Sequence, residues 1–110
     1  MKSDVLRGHI DMMILYFLLE ETAHGYLIRK MIISRTNNAL MIKETSLYSS
    51  LRRLEKNKHL KSLITIDKEN KRSRREYTVT ELGKKYYKEL TREWDSSKNI
   101  INLFVRSDYY

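Results

Sequence analysis

The sequence predicts a mainly α fold carrying a small β-hairpin and ending in a long helix, and three observations predict it. Apolar residues recur at three- and four-residue steps in four separate stretches. Proline is absent and glycine occurs only at Gly8, Gly25 and Gly83, so few breaks are forced on those stretches. Between the third and fourth stretches lie two runs rich in β-branched residues, separated by a charged tip. At 110 residues and 41% hydrophobic content, the chain supports one modest core plus an appendage.

The first stretch, residues 5–21, places Leu6, Ile10, Met13, Ile14, Phe17 and Leu18 on one helical face. Met12, Leu15, Tyr16 and Leu19 fill much of the remaining circumference, and a helix apolar nearly all round has to be covered on more than one side. The pattern lapses over residues 21–25, then Tyr26, Leu27, Ile28, Met31, Ile32 and Ile33 resume helical spacing as far as Ser34. Thr36, Asn37 and Asn38 carry side chains that compete with the backbone for hydrogen bonds, so residues 35–39 read as a loop.

A third helix opens near Glu44 or Thr45. Leu47, Leu51 and Leu54 fall within roughly 60° of arc on it, while Thr45, Tyr48, Ser49, Arg52 and Lys56 collect on the opposite arc, with Ser46 and Arg53 at its margin. Strands are expected at residues 63–66 and 77–79, joined by the charged tip of residues 68–75. In the last stretch, which runs to about Phe104, Tyr87, Leu90, Trp94, Ser97, Ile101 and Phe104 step by three, four, three, four and three, which is a heptad seam. The division this implies is a compact domain over residues 1–80 and a dimerisation helix over residues 81–110.

Composition narrows the function classes. Twenty-two Lys and Arg against 14 Asp and Glu leave a formal charge of +8, which favours polyanions as partners. Without cysteine, disulfides and thiolate metal sites are excluded, and no paired-histidine or clustered-carboxylate spacing suggests a metal or a hydrolase. Gly25 and Gly83 stand alone without phosphate-loop spacing, and His24 reads as a turn residue at a helix start. No cofactor, no metal and no catalysis are expected. The apolar run of residues 12–19 is well short of the roughly 20 residues a membrane span needs, so a soluble cytoplasmic protein without a membrane association is the expectation.

Three helices followed by a two-stranded hairpin is the element order of a winged helix-turn-helix, whose third helix enters the major groove of double-stranded DNA while the wing meets the flanking backbone. Arg52 is the candidate for a base edge, because a guanidinium addresses guanine with two donors. Lys43 and Tyr48 suit phosphate, and Thr45, Ser46, Ser49 and Arg53 complete the helical set. In the tip, Lys68, Lys71, Arg72, Arg74 and Arg75 outnumber Glu69 and Glu76; Lys71, Arg72 and Arg74 are the candidate wing contacts. Taken alone, the tip also fits a solvated hairpin that keeps the protein soluble, and the fold also fits a protein-protein module with an acidic partner.

Four blocks of the chain resemble the PadR family of transcriptional regulators: Leu6-Arg7-Gly8 with the apolar run after it, His24-Gly25-Tyr26, the segment of residues 45–55 with its Leu47-Tyr48 and Arg53-Leu54-Glu55 elements, and residues 74–83. The short C-terminal part is similar to the small subfamily with a single dimerisation helix. The resemblance implies a homodimeric repressor on an inverted-repeat operator, often released by a small molecule. Pairing of the first and last helices of two chains would engage Leu6, Tyr87, Leu90, Trp94, Ile101 and Phe104. The multidrug-responsive, LmrR-like members place a tryptophan in a flat pocket at the dimer centre, and Trp94 falls at the similar place. With Met13, Phe17 and Ser97 it forms the candidate site for an aromatic or apolar effector. The same residues equally suit plain packing, Trp94 as an interface residue, Ser97 as the polar residue that sets register, and the methionine and aromatic stripe as core. The chain departs from the family where a glycine usually follows the third helix: Lys58 stands there after Asn57, so the left-handed cap is expected at Asn57. The first wing strand offers Leu63, Ile64 and Ile66 where an aromatic is often found.

Overall fold

Apolar residues on every side of the first stretch require a helix enclosed by its neighbours. The computed structural model describes residues 6–109 and forms that helix as α1 (Ile10–Leu18), entered through a 3-10 turn over Arg7–His9. Val5, included above in the helix, lies outside the described residues. Ile14 and Leu15 are both fully buried on α1, which contacts each of the other long helices and so explains its all-round apolarity. The helix ends earlier than its apolar pattern, in a turn closed by the Glu20 N–H donating to the Phe17 carbonyl.

Residues 21–25, expected as a turn, contribute a short strand. β1 (Ala23–His24) pairs antiparallel with a later strand, Ala23 opposite Tyr77 and His24 opposite Glu76. Two residues carry no readable period, which is why the sequence showed a gap there. Helix α2 (Gly25–Arg35) follows at once and ends on Asn37 and Asn38, both left-handed at φ 51° and 65°, a conformation asparagine tolerates better than most residues. The Asn37 and Asn38 N–H groups return to the Ser34 and Ile33 carbonyls and satisfy the last turn.

Helix α3 (Glu44–Lys56) buries Leu47, Leu51 and Leu54 on the expected face. Its end corrects the expectation placed on Asn57. Asn57 remains near the helical region at φ −84°, and Lys58 takes the left-handed conformation at φ 64°. The reason is hydrogen-bond register: the Lys58 N–H donates to the Glu55 carbonyl and the His59 N–H to the Leu54 carbonyl, so the reversal must fall one residue beyond Asn57.

The hairpin is longer than the β-branched runs alone indicated. β2 (Leu60–Ile66) and β3 (Ser73–Val79) pair in register from Leu60 opposite Val79 to Ile66 opposite Ser73, giving a three-stranded antiparallel sheet in the order β1-β3-β2. The distal half of β3, Ser73-Arg74-Arg75-Glu76, has no apolar residue to signal a strand. Helix α4 (Glu81–Asn102) starts from Thr80, whose Oγ1 accepts the Gly83 N–H at 3.0 Å. A Cβ at Gly83 would stand 2.1 Å from the His59 carbonyl oxygen, so the glycine lets α4 seat against the end of α3. Tyr86, Tyr87 and Leu90 pack against the core, and beyond them α4 runs out from the body. The Cα radius of gyration is accordingly 16.0 Å, against about 13 Å for a compact chain of this size.

Candidate nucleic-acid interface

The outward face of α3 assembles as the helical arithmetic requires. Thr45, Ser49, Arg52, Arg53 and Lys56 are exposed along it, Lys43 is exposed just ahead of it, and Ser46 and Tyr48 are half-buried at its edges. Tyr48 is turned toward the start of α2: a Cβ at Gly25 would lie 2.6 Å from its ring and 3.1 Å from its hydroxyl. Gly25 therefore makes room for this tyrosine.

Arg53 has a partner that sequence reasoning missed. Its guanidinium forms an ion pair with Asp11, a buried carboxylate on α1, and the second Asp11 oxygen accepts the Tyr86 hydroxyl at 3.2 Å. One carboxylate thus ties α1, α3 and α4 together. Burial, with the adjoining Asp11 charge second, holds the Tyr86 phenol above its ordinary pKa. His59 stacks on the Tyr86 ring, centroids 4.1 Å apart and planes 13° from parallel. The available signal was a single acid inside an apolar helix, since a buried charge needs a partner.

The wing tip is a hydrogen-bonded turn that presents cations. Asp67 Oδ1 accepts the Glu69 and Asn70 N–H groups, and the Asn70 side chain accepts the Arg72 N–H. Those backbone donors, and then Arg74, hold the Asp67 carboxyl below the usual range. Lys68, Lys71 and Arg72 project from the turn, with Lys71 left-handed at φ 57°. Arg74 is half-buried over the Tyr26 ring, 5.0 Å from its centroid, and 3.8 Å from Asp67. Arg75 donates to Ser62 Oγ at 2.9 Å, and that hydroxyl donates to Glu55.

The residues expected around an effector are divided between two places. Met13 and Phe17 line a cavity of about 330 Å³ with Tyr16, Arg35 and Tyr87. Trp94 and Ser97 are not part of its wall: Trp94 lies farther along α4 with its ring edge-on to His9 at 5.3 Å. The expected dimerisation residues divide as well, and the last helix stops at Asn102 rather than near Phe104, which lies in a turn where its N–H donates to the Ile101 carbonyl. Leu6, Tyr87 and Leu90 pack on the core of their own chain, whereas Trp94, Ile101 and Phe104 are 42%, 61% and 78% exposed. Among the described residues, no group of three His, Cys, Asp or Glu side chains is placed to hold a metal, and no helix is long and apolar enough to cross a membrane.

A helix with an outward hydroxyl and guanidinium face, standing beside an arginine-rich hairpin, defines a winged helix-turn-helix protein of the DNA-binding class. Comparisons with known proteins agree. A model of the transcriptional regulator PadR-like family matches residues 14–89. A protein of Lysinibacillus sphaericus is 42% identical over 104 residues, 94% of each chain. The structure of a transcriptional regulator from Clostridium thermocellum superposes with a TM-score of 0.87 at 42% identity, covering 96% of this chain and 99% of that one. A PadR family transcription regulator from Clostridium difficile R20291 superposes at 0.73 with 28% identity, covering 87% and 97%. This chain belongs to the PadR-like family of transcriptional regulators.

Proposed function

We propose that this regulator is a homodimeric repressor that binds an inverted-repeat operator and is released by a small planar, apolar ligand, as in the LmrR-like small subfamily. The observation that carries the reading is that one chain exposes both a hydroxyl and guanidinium face on α3 and an uncovered apolar stripe on α4. Residues 1–80 read DNA and residues 81–110 hold the dimer. Arg52 addresses a base edge; Lys43, Thr45, Ser46, Tyr48 and Ser49 steady the helix on phosphates; Lys71, Arg72 and Arg74 meet the flanking backbone. Arg53 is engaged by Asp11, so its part is to hold the pitch of α3 while its remaining surface faces DNA.

In the dimer, two α4 helices run antiparallel about an axis near Trp94, which is seven residues from both Tyr87 and Ile101. Tyr87 then meets the partner's Ile101, with Leu6, Leu90 and Phe104 along the same contact, and a two-fold protein demands a two-fold site. The ligand stacks between the two Trp94 rings beside Ser97, and the Met13 and Phe17 cavity extends the apolar wall. Selecting bound fragments from the source genome tests the reading: an inverted repeat should be enriched, Arg52→Ala should flatten base preference, and Lys71→Ala and Arg72→Ala should weaken every sequence alike. Binding at moderate salt without sequence preference would overturn operator recognition, and Trp94 emission unmoved by a panel of aromatic compounds would overturn the ligand.

A further inference from the structure

Strand β2 is an outer edge of the sheet: in the order β1-β3-β2, β3 lies on one side of it and no strand among the described residues lies on the other. Its pairing with β3 is unbroken from Leu60 to Ile66, with no bulge to twist the edge away. The outward N–H and C=O groups of such an edge are open to another strand. Beyond the buried Leu60, three of its side chains are apolar and lie in the open, Leu63 at 75%, Ile64 at 57% and Ile66 at 70% exposure. Lys61 is the one charge on the strand. A regular, apolar edge guarded by a single lysine invites a further strand.

The strand is complementary to itself. Placed antiparallel to a second copy about a two-fold axis at Ile64, it sets Ile64 against the partner's Ile64, Ser62 against the partner's Ile66, Leu63 against the partner's Thr65 and Lys61 against the partner's Asp67. Each exposed apolar side chain then meets a β-branched or small one, and each Lys61 meets a carboxylate. Asp67 suits that role, since Oδ1 accepts the N–H groups of the tip while Oδ2 has Arg74 at 3.8 Å. The same placement sends the two cationic tips in opposite directions. At about 3.4 Å per residue the two Lys68 residues stand about 27 Å apart, beyond the roughly 10 Å over which charges interact at 0.1 M salt.

We propose that this edge joins the wings of neighbouring dimers, β2 to β2, so that the regulator fills DNA as a row of dimers. The inference rests on the homodimer and DNA-binding reading above. The occupant is a second copy of this chain, because the register that covers the apolar residues also pairs the charges, in both directions at once. A single edge strand buries far less than the roughly 1,200 Å² of a stable interface, so the contact acts between copies already held side by side on one duplex. One two-fold contact at α4 and another at β2 extend as an open row.

The test uses duplexes of arbitrary sequence at low salt, one of about 20 base pairs that holds one dimer and one of about 60 that holds several. Binding of the full chain, followed by fluorescence anisotropy, should be about tenfold tighter per site on the long duplex, the gain from a few cross-strand pairs. Ile64→Thr keeps a β-branched residue on the strand and should abolish that gain, with affinity for the short duplex changed less than about twofold. Because the chain has no cysteine, an introduced one reports the register. With diamide as oxidant on the long duplex, Ile64→Cys should link chains by a disulfide, since residues paired on the axis have Cα atoms about 4.5–5.5 Å apart. In Ile66→Cys the two thiols start about 14 Å apart and should link at least about tenfold more slowly.

Equal linking of the two cysteine variants, or none for Ile64→Cys, would overturn the pairing and leave the DNA-binding reading standing. A wild-type chain that gains nothing on the long duplex would do the same. An equal loss for Ile64→Thr on both duplexes would assign the apolar edge to DNA and overturn the row. A wild-type chain that binds neither duplex would overturn the DNA-binding reading, and the row with it.

Discussion

Helix α3 has 13 residues and buries Leu47, Leu51 and Leu54 completely, whereas α4 has 22 and buries only Gly83, leaving Trp94 and Ile101, and Phe104 in the turn just past its end, exposed. Both carry a clear apolar stripe in sequence, and the difference lies in who covers it. The stripe of α3 closes on α1, α2 and the sheet of its own chain. That of α4 packs on the core only as far as Leu90; beyond it Trp94 meets the His9 ring, and Ile100 and Ile101 stand exposed among the described residues. An apolar face specifies that something must lie on it, and chain geometry decides whether that something is inside the molecule or outside it.

Breaking the covered stripe should have the largest effect. Leu51→Ala removes a fully buried side chain and should cost about 2–5 kcal/mol, read as a lower denaturation midpoint. The uncovered stripe should respond differently. Ile101→Lys should leave helical content intact and weaken self-association by about 2–4 kcal/mol in sedimentation experiments, because it places an unpaired charge in the proposed interface. Unchanged self-association would show that the distal half of α4 is not where two chains meet.

Gly83→Ala probes the junction of the two helices. A new methyl facing the His59 carbonyl should cost about 1–3 kcal/mol, or more if α4 is forced off the body. Tyr86 reports the same junction through pH. Its folded pKa is raised, so its contribution is complete below the ordinary phenolic range and is lost as pH rises through the higher folded value. Tyr86→Phe should therefore reduce the alkaline loss of stability, measured by denaturation between about pH 9 and 11. Part of the loss should persist, because burial, with Glu55 second, raises Tyr77 in the same direction. The smallest effect should come from Lys58→Gly, which relieves a left-handed lysine and should stabilise the fold by up to about 1 kcal/mol.

The leucine face of α3, the charged wing and the seam of α4 were legible because each is written as a period or a cluster within one segment. Strand β1 was not, since two residues have no period, and the outer half of β3 reads as a charged loop until it pairs with β2. Arg53 illustrates the same limit at the candidate site. Its place on the outward margin of α3 followed from helical geometry, while its engagement with Asp11, 42 residues earlier, did not. Met13 and Trp94 were grouped through the family resemblance, and the structure sets them in different environments within a single chain.

The sequence by itself determined which faces of each helix are apolar, where the cations concentrate and the order of the four helices and the hairpin. Those properties follow from side chains a few residues apart, and local geometry relates them directly. Tertiary structure alone decided that Asp11 joins Arg53 and Tyr86, that Lys58 rather than Asn57 turns the chain after α3, and that Arg74 of the wing lies over the Tyr26 ring at the start of α2. Each of these depends on the approach of segments distant in the chain or on the hydrogen-bond register at a helix end, and short-range periodicity carries no record of either.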